Sequence, residues 1–172
     1  FFSWNAEEHA RQMNKIWNFG YITYKRDRTF NLYSKIEDHA NDVHDYLKYL
    51  KFGYGRATDD ASMEIRHGRI TRNEGLKLIS EYDHKEPLTL KFYCDFLGIT
   101  KNEFYKAVEP MRDANIWEKV QGKWRAKDSV WKNSNLSNVT FKSEIFQKKY
   151  KQMYFNVENP PEKSKEDALD IF

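Results

Sequence analysis

At Asn5, Thr71 and Thr100 a side chain able to cap a helix stands three residues ahead of a glutamate (Glu8, Glu74 and Glu103), and apolar residues at helical spacing follow each pair. A reciprocal cap of this kind satisfies orphan backbone donors at a helix start, so it fixes where helices begin and argues for a mainly α fold. The first pair predicts a helix over about 6–19 through Met13, Ile16 and Trp17, with Gly20 as its stop. The second opens a helix that buries Leu76, Leu78, Ile79 and Tyr82, and the third leads into Phe104, Tyr105, Ala107, Val108 and Met111, shortened or kinked by Pro110.

Other helices follow from periodicity. Ile36, Ala40, Val43, Leu47 and Leu50 predict a helix over about 35–51. Thr58 reads as an N-cap, with Asp59 and Asp60 in the first turn and Gly68 as the stop. Pro87 starts a helix through Phe92, Tyr93, Phe96 and Leu97, closed by Gly98. Residues 20–34 are basic and aromatic without clean periodicity, as expected of an ordered loop or extended segment lying on something else. Trp117, Val120 and Trp124 around Gln121-Gly122-Lys123 suggest a small β-hairpin. Phe141, Ile145, Phe146, Tyr150 and Tyr154 share one helical face in a lysine-rich stretch, and the tail from Asn156 is expected to be mobile or docked on a partner. The chain thus divides into 1–34 (helix plus aromatic, basic loop), 35–131 (a helical domain) and 132–172 (lysine-rich helix and tail).

Composition excludes several classes. With 12 Phe, 11 Tyr and 5 Trp in 172 residues the chain has ample material for a core. One cysteine, Cys94, rules out an internal disulfide or a multi-cysteine zinc site; no HExxH or Cys/His spacing occurs, so no metal site is expected. Cys94 lies among aromatics with no activating base, as a buried small residue does. No run of 18 apolar residues occurs, and the expected location is cytoplasmic, with no membrane partner. The chain opens Phe-Phe without Met, which suggests a piece of a longer product.

The net charge of +3 is small, but it has a focus. Between Lys48 and Arg72 stand six basic residues (Lys48, Lys51, Arg56, Arg66, Arg69, Arg72) and three acidic ones (Asp59, Asp60, Glu64), an excess equal to that of the whole chain. In Lys51-Phe-Gly-Tyr-Gly-Arg56, Gly53 and Gly55 separate two cations just before the helix start at Thr58. Glycines let amide N–H groups approach an anion, and the helix terminus adds partial positive charge, so this is a candidate phosphate or nucleotide cradle. The plainer reading is that Gly53 and Gly55 terminate the preceding helix. Asp59, Asp60, Ser62, Arg66 and Arg72 are secondary candidates: carboxylates to hold Mg²⁺ or a sugar, arginines to clamp a phosphate. As an alternative they are first-turn residues and cations paired with nearby acids. Residues 87–127 follow the order of a winged helix-turn-helix, a rival nucleic-acid-binding module, although the would-be recognition helix is as acidic as it is basic, which argues against nucleic acid. A third possibility is a non-catalytic helical adaptor using 141–155 to dock a partner, the plainer reading being that this stripe packs on the domain's own core.

The stretch from Ile36 to Tyr82, above all KFGYGRATDDASMEIRHGRITRNEG, resembles the rear part of bacterial N-acetyl sugar amidotransferases of surface-polysaccharide and flagellin-sugar biosynthesis. The resemblance implies an ATP-pyrophosphatase-type enzyme. ATP activates the acyl oxygen of an N-acetyl group on a nucleotide-linked sugar, and ammonia from a glutaminase, working with a cyclase-like subunit, displaces it to give an acetamidino group. The family's Ser-Gly-Gly-x-Asp-Ser loop and its cysteine pairs are absent. The resemblance therefore implies a helical C-terminal region, detached from or completing an α/β ATP-pyrophosphatase domain, inactive alone, with ATP and Mg²⁺ held in the complete enzyme. Under it Lys51 and Arg56 meet phosphate, with Gly53, Gly55 and Thr58 beside them.

Overall fold

In a computed structural model, the structure describes residues 4–20, 22, 26–38, 40–132 and 134–139. The lysine-rich stripe at 141–155 and the tail beyond it lie outside these residues. Six helices are described: α1 (Ala6–Trp17), α2 (Ala40–Phe52), α3 (Arg56–Arg66), α4 (Arg72–Tyr82), α5 (Leu90–Phe96) and α6 (Lys101–Val108). A 3₁₀ turn (Glu109–Met111) and a hairpin of β1 (Trp117–Val120) and β2 (Lys123–Ala126) follow.

The reciprocal caps form at Thr71/Glu74 and Thr100/Glu103, and Asn5 accepts from the Glu8 amide at 3.3 Å. The hairpin pairs Trp117 with Ala126 and Val120 with Lys123, turning through Gln121 and Gly122, both at positive φ, the geometry of a two-residue primed turn. Pro110 sits within the 3₁₀ turn that ends α6. The mainly α fold with a small hairpin is therefore as expected.

Several boundaries differ from the sequence reading. α1 ends two residues early because Asn18 adopts a left-handed conformation (φ 52°) and its amide bonds to the Met13 carbonyl, so Gly20 is not the stop. α2 begins at Ala40, not 35: Lys35 has φ 52°, incompatible with helix, and the Asp38 carboxylate accepts from the Ala40 amide at 2.6 Å. α5 begins at Leu90 instead of Pro87, after a turn closed by a bond from the Leu90 amide to the Pro87 carbonyl. α3 begins at Arg56 with Gly55 as its N-cap, which makes Thr58 the third helical residue and corrects its reading as the cap.

Two apolar clusters hold the molecule together. One joins Ala10 of α1, Phe30, Leu32 and Tyr33 of the loop, Ala57 and Ala61 of α3, and Leu78, Ile79 and Tyr82 of α4. The other joins Val43, Tyr46, Tyr49 and Leu50 of α2 with Leu90, Cys94, Phe104, Val108, Trp117 and Ala126. Trp131 packs against both. Much of the loop from Arg26 to Tyr33 is buried on α3 and α4, with polar side chains going in alongside the apolar ones.

Candidate functional site

Where α3 begins, its first amides already hold an anion, and the anion is Asp83. This carboxylate, 0 % exposed, accepts from the Gly55 amide at 2.8 Å, the Thr58 amide at 3.3 Å and the Thr58 hydroxyl at 2.5 Å. A helix start with no capping side chain of its own leaves free N–H groups and partial positive charge, and a carboxylate satisfies both. Asp83 follows the last residue of α4, so one residue closes the end of α4 and the start of α3.

Arg28 completes the brace. Its side chain is also 0 % exposed, donating to the carbonyls of Tyr82 (3.2 Å), Asp83 (2.8 Å) and Lys85 at and just beyond the end of α4. Its guanidinium lies 5.1 Å from the Tyr46 ring centroid and 5.8 Å from that of Tyr49. Burial pushes it below its ordinary pKa, and the Asp83 charge opposes that shift. A Cβ added at Gly55 would stand 2.8 Å from Asp83 Oδ1 and 2.9 Å from Arg28 Nη2, so this brace, more than an external ligand, accounts for the glycine.

The acids of the basic segment are each committed to a cation. Asp60, 1 % exposed, is met by Arg56 through Nε to Oδ2 and Nη2 to Oδ1, both at 3.2 Å, and accepts from the Thr29 hydroxyl at 2.5 Å. Burial raises its pKa, and Arg56 counters the shift. Asp59 pairs with Lys48. Glu64 takes a bidentate contact from Arg69 at 2.5 and 2.6 Å. Ser62 donates to the Thr58 carbonyl within α3. Asp59 and Asp60 are therefore spent on lysine and arginine, an arrangement that does not fit a Mg²⁺ site, and among the described residues no cluster of three potential metal ligands occurs.

Lys51, Arg66 and Arg72 remain. All three are exposed, and none has a carboxylate partner among the described residues. They do not converge: Arg66 and Arg72 lie where α3 ends and α4 begins, whereas Lys51 lies in the last turn of α2 near the start of α3, roughly 15 Å away along an eleven-residue helix. Lys51 is the one with ligand-like surroundings. Its Nζ is 5.0 Å from the Phe52 centroid, Lys48 Nζ is 4.5 Å from that of Tyr54, and the two rings, 46 % and 42 % exposed, are 6.2 Å apart. Gly53 between them takes φ 76° and ends α2, and an added Cβ would meet Ile116 Cγ2 at 2.6 Å.

Asp83, Arg28 and Thr29 are the residues that sequence reasoning missed. No local pattern marks them, because the hydrogen bonds that tie them to α3 and the end of α4 span 25 to 57 positions. The rival module also takes shape, as α5, α6 and the hairpin in order, but several of its cations face the chain's own acids: Lys119 with Glu109, Arg125 with Glu118 and Lys101 with Glu86. Cys94, 2 % exposed, is packed among the second apolar cluster.

The family model described as "LPS biosynthesis protein WbpG-like, C-terminal domain" matches residues 18–135. No curated protein matches the chain. The matched stretch spans α2 to β2 and takes in the whole basic segment. The chain belongs to this lipopolysaccharide-biosynthesis family.

Proposed function

We propose that the chain is the C-terminal helical part of an ATP-dependent amidotransferase, which converts the N-acetyl group of a nucleotide-linked sugar to an acetamidino group with ammonia from a partner glutaminase and a cyclase-like subunit. The observation that carries the reading is the match to a C-terminal domain of lipopolysaccharide biosynthesis over residues 18–135. The run KFGYGRATDDASMEIRHGRITRNEG lies inside it. An amide oxygen is a poor leaving group, and ATP makes it part of a phosphate ester, after which the protein's task is positioning and screening of negative charge.

The filled helix start and the committed carboxylates support assigning ATP and Mg²⁺ to the remainder of the enzyme. Of the cradle residues, Gly53, Gly55, Arg56 and Thr58 hold the α2–α3 corner in shape, with Asp59, Asp60 and Ser62 as internal partners. Lys51, beside the exposed Phe52 ring and without an acid partner among the described residues, is the side chain that meets a phosphate of the nucleotide-linked sugar. Arg66 and Arg72 lie at the far end of α3, outside that contact.

In the complete enzyme, Lys51→Ala is expected to raise KM for the nucleotide sugar about tenfold, the equivalent of one exposed charge contact of about 1.4 kcal/mol, with kcat within twofold. The same chain purified alone is expected not to convert ATP to AMP. Turnover by the isolated chain, or an unchanged KM in the variant, would sink this assignment.

A further inference from the structure

α1 turns its small residues to the core and its large apolar ones to solvent. Ala10 is buried in the first apolar cluster with Ala6 packed beside it, whereas Met13 is 41 %, Ile16 64 % and Trp17 75 % exposed. On a helix advancing about 100° per residue, Ile16, His9, Met13 and Trp17 fall within an arc of about 100°, so the large side chains form one stripe. Trp4, 73 % exposed, extends the stripe past the helix start, its ring edge-on to that of His9 with centroids 4.6 Å apart. A single exposed apolar residue is ordinary, but four large ones in one stripe mark an interaction surface.

The area suits a pair of copies. Two tryptophans three-quarters exposed offer roughly 350 Å², and the open parts of Met13 and Ile16 add about 100 Å². Two facing stripes would then bury about 900 Å² of apolar surface, and a polar rim of Gln12 and Lys15 takes the total past the roughly 1,000 Å² that a specific interface needs. Charge sets the direction. Glu8, which also holds Arg11, and Gln12 and Lys15 run down one flank of the stripe with the acid toward the helix start and the base toward its end. In an antiparallel pair each copy lays Lys15 alongside Glu8 of the other, and the opposed helix dipoles attract. One acid and one base leave that flank neutral, which suits a protein surface better than an anionic bilayer.

We propose that α1 is the contact by which two copies of this chain associate, antiparallel about a two-fold axis beside Met13. The stripe closes on its own equivalent, so the pair is isologous and ends at two. The proposal does not rest on the reaction proposed above.

The test is sedimentation velocity of the full-length chain, in which a dimer dissociating at about 10 µM is expected. Met13→Glu with Ile16→Glu, both at exposed positions and both good helix formers, should raise that constant at least about thirtyfold while the melting temperature holds. Phe96→Asp, at an exposed ring of α5, should leave the constant unchanged. Copies carrying Met13→Cys should join by a disulfide on mild oxidation, and copies carrying Lys91→Cys should not; the native Cys94 is buried. A chain that stays monomeric at about 200 µM overturns the proposal, as does a dimer that Phe96→Asp disrupts and the α1 pair of substitutions does not. Cross-linking at Lys91→Cys as readily as at Met13→Cys overturns it too. Co-sedimentation with vesicles of anionic phospholipid, lost with the α1 substitutions while the chain is monomeric in solution, overturns it in favour of a lipid surface.

Discussion

Replacing Asp83 by alanine tests whether the start of α3 is already filled. The carboxylate makes two short bonds, from the Gly55 amide (2.8 Å) and the Thr58 hydroxyl (2.5 Å), and a longer one from the Thr58 amide (3.3 Å). Hydrogen bonds to a charged acceptor are worth about 1.5–3 kcal/mol each, so the two short ones give roughly 3–6 kcal/mol. The Thr58 hydroxyl is half-buried and can turn to water, which trims the upper end. Arg28, 0 % exposed, keeps its carbonyl partners but loses the nearby negative charge, and removing one member of a buried charge arrangement typically costs about 3–5 kcal/mol. We take about 4 kcal/mol as the expected loss. With a urea slope of about 2 kcal/mol per molar, the unfolding midpoint followed by tryptophan fluorescence falls by about 2 M. Asp83→Asn, which keeps the shape and one acceptor oxygen, should lose about half as much. A shift under about 0.5 M for Asp83→Ala would refute the account of α3 as a helix whose N-terminal charge is met from within. A second arm asks where an external anion goes: pyrophosphate at millimolar concentration should raise the melting temperature of Asp83→Ala more than that of the parent chain, because only the variant has the amides free. Equal stabilisation of both chains places the anion elsewhere.

Asp60→Asn should flatten the pH dependence of stability. Burial raises the folded-state pKa of Asp60 above its unfolded value of about 3.9, so the stability linked to its proton is present below that value and is lost as pH rises through the folded pKa. Urea midpoints between pH 4 and neutrality should therefore fall in the parent chain relative to the variant. Gly53→Ala should cost about 1–3 kcal/mol, through strain at φ 76° and the clash with Ile116, read as a lower melting temperature in calorimetry. Lys51→Ala in the same assay should stay within about 0.5 kcal/mol of the parent, and a larger loss would mean that Lys51 is structural. In fluorescence anisotropy, duplex DNA should show no tight, salt-sensitive binding, since Lys119, Arg125 and Lys101 of the rival module already face glutamates; such binding would restore the nucleic-acid reading.

What the sequence made legible is what depends on neighbours. The Thr71 and Thr100 caps form with their glutamates because both partners sit within one turn, and the hairpin forms because Gln121 and Gly122 can take positive φ together. The start of α2 was not legible: Ile36 fits the helical stripe, yet Lys35 adopts a left-handed conformation while its ammonium pairs with Asp45, a tertiary contact that overrides periodicity. The start of α3 failed for the same kind of reason. Thr58 has the chemistry of a cap, but Asp83 arrives from 25 residues away and takes both its amide and its hydroxyl, moving the cap back to Gly55.

The charge count of the basic segment was correct as arithmetic and misleading as geography. An excess of three suggests one anion site, but the pairings Lys48–Asp59, Arg56–Asp60 and Arg69–Glu64 consume one acid and one base each and leave Lys51, Arg66 and Arg72 as the excess. Two of these sit at one end of α3 and one at the other, about 15 Å apart, nearly two Debye lengths at physiological salt. Exposed charges so separated act as independent contacts, so no cooperative clamp on a single phosphate arises from them. Any discrimination by this surface must then come from what stands beside a single cation. Of these three cations, Lys51 is the one found among the described residues against an exposed aromatic ring, Phe52, which offers flat apolar surface next to the charge, a pairing suited to a ligand that joins a planar group to a phosphate.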